Sequence, residues 1–272
     1  MDELYYKHFV RDALMDGGNR KKNKESSSNK RPLLSIITVV YNNEKYIEES
    51  LNSLYSQKFK DYEHIIIDGG SNDNTLSIIK KYEEKIEYWC SKKDKGIYDA
   101  FNTGMSLAKG QYIGFLNSDD KYTEDALLIL NDYINKYPTK DFIFGSVKKH
   151  WGILHGYKPY KIYWSWGFYS SHSTGFFIKN TSAKKVGLYN LKYKFSADYD
   201  YFFRMIVKYK MKGIATKKNE VFGIFRRGGF SSKIKFIDHF FEEIKIRLDN
   251  NQNKFLILVI FIYKYLKNFS KI

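Results

Sequence analysis

Residues 110–120, Gly-Gln-Tyr-Ile-Gly-Phe-Leu-Asn-Ser-Asp-Asp, limit most strongly what this chain can fold into. Tyr112, Ile113, Phe115 and Leu116 form a short apolar run of β-formers, which predicts a buried central strand. It breaks abruptly into Asn117, Ser118, Asp119 and Asp120. Two adjacent carboxylates at the mouth of a buried strand repel each other, and a divalent cation removes that cost. Oxygen-rich ligand sets suit Mg²⁺ or Mn²⁺. Open α/β sheets bind ligands beyond the carboxyl ends of their strands. The stretch therefore points to a metal-assisted phosphate-ester or nucleotide-sugar site. The competing reading makes Asp119 and Asp120 loop acids that cap the helix that follows, since Asp is a preferred N-cap.

The chain around it repeats the same pattern. Residues 33–40 are apolar and β-branched and stop at Tyr41-Asn42-Asn43; residues 62–67 stop at Asp68-Gly69-Gly70-Ser71. Residues 86–89 suggest a third strand before the loop 94–99. Helical periods over 44–57, 76–82, 97–107 and 124–137 separate and follow these runs. Strand and helix in alternation predict a parallel α/β sheet with right-handed crossovers. After Asp141 the rhythm changes to short β-like pieces at 142–147, 152–160, 173–178 and 221–225, with an aromatic belt at 151–169 and a helix over 199–209 opened by Ser196 and Asp198. Residues 31–233 read as one domain. Residues 1–30 read as a helical stretch over 4–14 and a flexible basic linker over 17–30, and residues 234–272 as a helical extension.

Composition narrows the partners without choosing among them. A net charge of +16 favours anionic ones: nucleotides, nucleic acid or an acidic membrane face. The single Cys90 excludes an internal disulfide framework, and the charged first residues lack the apolar core of a signal peptide, so a cytoplasmic location is expected. Residues 255–266 are apolar nearly all round but too short for a confident transmembrane span. Lys254, Lys264, Lys267 and Lys271 flank them, which suits either an interfacial helix with peripheral membrane contact or a helix packed on the domain or on a second copy in a homodimer.

Four strand ends thus deliver polar groups to one sheet edge: Thr38, Tyr41 and Asn42; Asp68 and Ser71; Lys95 and Asp99; Asp119 and Asp120. Here the chain resembles a family 2 glycosyltransferase of the GT-A type, the inverting, polysaccharide-biosynthesis kind. Residues 35–42, 68–75, 94–102 and 115–120 match its segments in order, and 196–204 (Ser-Ala-Asp-Tyr-Asp-Tyr-Phe-Phe-Arg) resembles its late acidic motif. The resemblance covers residues 33–232 and implies a GT-A fold, mostly parallel and flanked by helices. It implies a nucleotide pocket lined by Thr38, Tyr41 and Asn42, with Asp68 accepting from a ring nitrogen or the ribose. Asp119 corresponds to the last acid of the DXD motif that holds Mn²⁺ or Mg²⁺ on the diphosphate, and Asp198 to the base that deprotonates the acceptor. Asn117 and Ser118 complete the donor side, while Lys95 is either a phosphate ligand or a solvated lysine. The chain departs from the family pattern at Asn117 (usually Asp), at Gly69 (often a second acid) and at Phe101 (often Arg).

Three further groups stay open. Asp198 either acts as base or only caps its helix; Asp200 is turned from Asp198's direction by helix geometry. His172 is either near the diphosphate or acceptor, or an ordinary buried histidine. Arg226 and Arg227, before Gly228 and Gly229, either form a mobile loop that closes over the diphosphate or an ordinary turn. The expected activity is transfer of a hexose or N-acetylhexosamine from a nucleoside-diphosphate sugar, chiefly UDP-linked, to a glycan or lipid-linked acceptor. A sugar-phosphate nucleotidyltransferase is the rival enzyme, but 40–45 offers one lysine where a triphosphate needs a Gly-rich basic loop. A basic nucleic-acid-binding module leaves the carboxylates at four strand ends unexplained, so no nucleic-acid partner is expected.

Overall fold

The computed structural model describes residues 13–22, 31–164, 172–228 and 235–268. Its centre is an eight-stranded sheet in the order β1-β4-β3-β2-β5-β10-β7-β11. The strands are β1 Met15–Gly17, β2 Leu34–Val40, β3 Tyr62–Asp68, β4 Tyr88–Ser91, β5 Tyr112–Phe115, β7 Phe142–Phe144, β10 Phe176–Lys179 and β11 Gly213–Ala215. A second sheet, in the order β6-β12-β8-β9, joins β6 Lys121–Tyr122, β8 Ser146–Lys149, β9 Gly152–Leu154 and β12 Val221–Ile224. β4, β3, β2 and β5 run parallel, as the alternating pattern predicts. β10 is antiparallel to both β5 and β7.

β2 is buried along its whole length, which explains its largely apolar run; its two hydroxyls, Ser35 and Thr38, are themselves buried and hydrogen-bonded. Its side chains alternate between two layers. Ile37 and Val39 meet Phe101 and Met105 of the helix Ile97–Leu107, while Val40 meets Ile47 and Leu51 of the helix Ile47–Tyr55. Gly104 is needed on the first face, because a Cβ there would run into the Ile37 side chain. Helices on both faces leave the strand ends as the open edge.

Several boundaries differ from expectation. The run 142–147 is two strands in different sheets, parted at Gly145. The helix expected over 199–209 is Ala197–Phe203 followed by a wider π turn, Arg204–Lys208. Most of the helix expected over 4–14 lies outside the described residues. Part of the expected basic linker is built into the domain: Met15–Gly17 pairs antiparallel with β4, and Arg20 hydrogen-bonds Glu63 at 2.8 Å and the Leu107 carbonyl at 3.2 Å. No local period announces a three-residue edge strand, so the sequence hid it.

At the other end, Phe236–Asp249 and Lys254–Lys267 form a helical hairpin. Lys264 is not a flanking lysine in solvent. It is buried and paired with Glu243, which also binds Arg247 at 3.0 Å. Among the described residues no helix is long and apolar enough to cross a membrane.

Candidate active site

The end of the edge where the nucleotide is expected is built from the turns after β2, β3 and β4. Asp68 closes β3 fully buried. Its Oδ2 accepts from the Gly70 and Ser71 amides at 3.1 and 3.0 Å and from the Ser91 hydroxyl at 2.6 Å. Among the described residues its Oδ1 takes only the Ser71 hydroxyl, at 2.5 Å, and so keeps acceptor capacity. Asn42, at φ 46°, donates its amide to Ser71 Oγ (2.8 Å), and its side-chain oxygen accepts the Asn72 amide (2.8 Å). It fastens two turns together, while Tyr41 beside it is 63% exposed. Thr38 does not reach this edge. It is fully buried, and its hydroxyl pairs with His64 Nε2 at 2.9 Å, whose Nδ1 meets Tyr55 at 2.7 Å. Burial holds His64 neutral, with its pKa lowered to about 3.

The turn after β4 brings Asp99, whose Oδ2 accepts the Lys95 amide at 3.0 Å, while the Lys95 side chain is exposed. It also brings Asp94, which sequence reasoning passed over. Burial raises the Asp94 pKa, and the charges of Asp99 and Asp68 add to the shift. Asp94 accounts for Gly69: a Cβ at position 69 would sit 2.7 Å from Asp94 Oδ2. The carboxylate that the family pattern places at 69 is thus matched by one from the neighbouring turn.

The turn after β5 holds the two carboxylates apart in role. Asp120 is 1% exposed and structural: it accepts from Thr174 Oγ1 (2.7 Å), the Arg226 amide (3.1 Å) and Asn117 Nδ2 (3.2 Å). Asp119 is half-buried, and among the described residues no side chain hydrogen-bonds its carboxylate. Burial, then the charge of Asp120, raises its pKa to about 6. Neither caps the next helix, whose N-cap position is Asp125. Ser118 Oγ accepts from Asn43 Nδ2 at 2.8 Å, tying this turn to the one after β2. Asn117 Oδ1 is buried with no partner, while its Nδ2 reaches Ser173 at 2.8 Å. A bare carboxylate and an orphaned amide oxygen in one turn fit a hard divalent cation that draws its other ligands from phosphate and water. Among the described residues no group of three or more His, Cys, Asp or Glu could hold a metal unaided.

Arg226 is a fastener rather than a free cation. Its Nε donates to the Asp119 carbonyl at 3.1 Å, its guanidinium pairs with Glu49, and it lies 4.2 Å from the Tyr46 ring centroid. Arg227 is exposed on the turn that follows. His172 Nδ1 lies 3.4 Å from Asp120, and burial lowers its pKa to about 3, so it faces that carboxylate as neutral imidazole.

Asp198 stands in the first turn of the helix Ala197–Phe203. Its Oδ1 accepts from the Tyr98 hydroxyl at 3.2 Å and the Tyr199 amide at 2.9 Å, and burial raises its pKa. Ser196, expected as a cap, bonds His239 Nδ1 at 3.0 Å instead. Asp200 is spent on Arg204 at 2.8 Å and Asn250 at 2.9 Å. The C-terminal helix Phe236–Asp249 holds the segment before Asp198: Glu242 accepts three successive amides, from Lys194, Phe195 and Ser196, at 2.6, 2.7 and 2.6 Å. Sequence reading missed Glu242, His239 and Tyr98, because only the fold shows what they touch.

These groups are linked by one hydrogen bond and by the reach of their charges. The charges of Asp68, Asp94 and Asp99 interact, Tyr98 beside Asp99 reaches Asp198, and the charges of Asp198 and Asp120 both act on Lys149. Separate turns therefore converge. A largely parallel sheet with helices on both faces and carboxylates at its strand ends, Asp68, Asp119 and Asp120 among them, is the arrangement of a GT-A-type fold. The chain belongs to glycosyl transferase family 2, whose profile matches residues 35–208.

An uncharacterized glycosyltransferase of Rickettsia typhi is 30% identical over 188 residues, which are 64% of this chain and 59% of that protein. The chain thus spans about three fifths of that relative's length. Among solved structures, S. aureus TarS 1-349 in complex with UDP-GlcNAc superimposes with a TM-score of 0.63 at 19% identity, covering 87% of this chain and 72% of that one. The mannosyltransferase PcManGT from Pyrobaculum calidifontis, in complex with GDP-Man and Mn²⁺, gives 0.64 at 17% identity, covering 97% and 76%. At these identities the two structures speak for the fold.

Proposed function

We propose that the chain is an inverting glycosyltransferase. It takes a hexose or N-acetylhexosamine from a nucleoside-diphosphate donor, UDP-linked by preference, to a hydroxyl of a glycan or lipid-linked acceptor. The observation that supports the reading is an orphaned Asn117 oxygen beside an Asp119 carboxylate that no described side chain hydrogen-bonds, together with a half-buried Asp198 whose pKa burial raises. Tyr41 faces the base, and Asp68 Oδ1 accepts from the base or ribose. Asp119 and Asn117 would hold Mn²⁺ or Mg²⁺, which when bound neutralises charge on the departing diphosphate. Asp198 takes the proton of the acceptor hydroxyl. That oxygen bonds C1 from the face opposite the diphosphate, and the C1–O bond breaks with its electron pair leaving on phosphate. One displacement inverts the anomeric centre. The UDP-GlcNAc bound to TarS supports the UDP preference, and the Mn²⁺ bound to PcManGT supports the cation.

Thermal-shift measurements with UDP-, GDP- and dTDP-sugars, each with and without Mn²⁺, test the donor, because a ligand of the folded state raises its stability by mass action. The Asp198→Asn variant is expected to keep the donor-induced shift and lose about 10²–10⁴-fold in transfer rate. An unchanged rate would reassign the base, and no shift with any nucleotide sugar would remove the reading.

A further inference from the structure

Lys149 ends β8, where its strand runs beside β12. Its Nζ lies 4.5 Å from the Phe225 ring centroid, and that ring packs on His172 at 4.6 Å. The residue after Phe225 is Arg226, whose amide holds Asp120. The side chain is half-buried, the charges of Asp120 and Asp198 both act on its ammonium, and it donates no hydrogen bond to any described residue. A desolvated ammonium with unspent donors is costly unless an anion completes it.

Among the other described cations at this edge, Lys95 and Arg227 are exposed, and a solvated charge is a weaker anchor for a diphosphate than a desolvated one. Arg226 is committed to Glu49 and the Asp119 carbonyl. Phe101 is 5% exposed and packs on Phe115 at 4.8 Å between ring centroids, so position 101 supplies none. Asn117 brings no charge to the cation that Asp119 would hold.

We propose that Lys149 binds the sugar-side phosphate of the donor's diphosphate and steadies the charge that collects there as the C1–O bond breaks. It is a fixed cation working beside the metal and partly in its place. The proposal rests on the glycosyltransfer reading and adds to it a binding group that no motif marks. In a chain with 46 Lys and Arg residues, the Lys148-Lys149-His150 run reads as ordinary surface charge.

The test is calorimetric binding of UDP, UMP and GDP to the full chain, in EDTA and in Mn²⁺. The wild type is expected to prefer UDP over UMP even in EDTA. Lys149→Gln is expected to lose about tenfold or more of that preference, the worth of a charge-assisted hydrogen bond. Lys149→Arg is expected to keep most of it, and Asp119→Asn to lose only the Mn²⁺-dependent gain. Lys149→Met, which keeps the stem against Phe225, serves if the Gln variant folds poorly. An unchanged UDP-to-UMP ratio in both neutral variants would overturn the role of Lys149 alone. A wild type that binds neither UDP nor GDP would overturn the glycosyltransfer reading beneath it.

Discussion

For Asp198, the proposed base, burial and one hydroxyl would set the working range. Desolvation raises its pKa, while the Tyr98 hydroxyl and the Tyr199 amide stabilise the carboxylate and pull it back. The active form is the carboxylate. As pH falls through the raised pKa, the base is lost, so the acid limb of kcat/KM against pH is expected above the ordinary carboxylate value of about 4. Tyr98→Phe removes one stabiliser of the charged form, so that limb should move to higher pH. A limb that stays in place would show that Asp198 is not the group titrating. Tyr98 sat inside a matching motif, yet its partner lies about a hundred residues away. Sequence periodicity reports local structure and is silent on that contact.

Among the elements, the parallel strands were legible because a strand covered on both faces is mostly apolar, as Ile36, Ile37, Val39 and Val40 of β2 and Ile65, Ile66 and Ile67 of β3 show. The polar breaks after them marked the binding edge for the same reason. What the sequence hid were elements defined by distant partners: β1, the split at Gly145, and the service of the helix Phe236–Asp249 to the base. Thr38 was misplaced because a hydroxyl near a strand end can serve a buried His64 as readily as a ligand. Glu242 ties the C-terminal helix to the segment ahead of Asp198, the proposed base, by gathering three amides. Glu242→Ala frees that segment. Its expected cost is about 1–3 kcal/mol in stability and about tenfold to a hundredfold in kcat, because small displacements of a reacting group are expensive. UDP affinity should stay within about twofold, since the nucleotide turns are elsewhere. Loss of UDP binding in step with kcat would mean that Glu242 only maintains the fold.

For the molecule as a whole, the open question is what meets the outer face of the C-terminal hairpin. Ile257, Ile260 and Lys264 point inward, while Phe255, Leu258, Val259, Ile262 and Leu266 are each 47–75% exposed. Positions 255, 258, 259, 262 and 266 share one helical face, so the exposure is a continuous apolar stripe and not scattered residues. Exposed Lys254 and Lys267 stand at its two ends, and the whole chain carries +16. That combination suits an anionic bilayer better than a second copy of the same cation, which would bring like charge together as it covered the stripe. It would also bring the site to a lipid-linked acceptor. The chain is therefore expected to sediment with vesicles containing anionic lipid, less so with purely zwitterionic ones, and less at high salt. Leu258→Glu with Ile262→Glu should abolish sedimentation while the melting temperature barely moves, because both side chains are already in water. If instead the wild type forms a concentration-dependent dimer that the double variant dissolves, and vesicles bind neither protein, the stripe is a subunit interface and the membrane assignment is wrong.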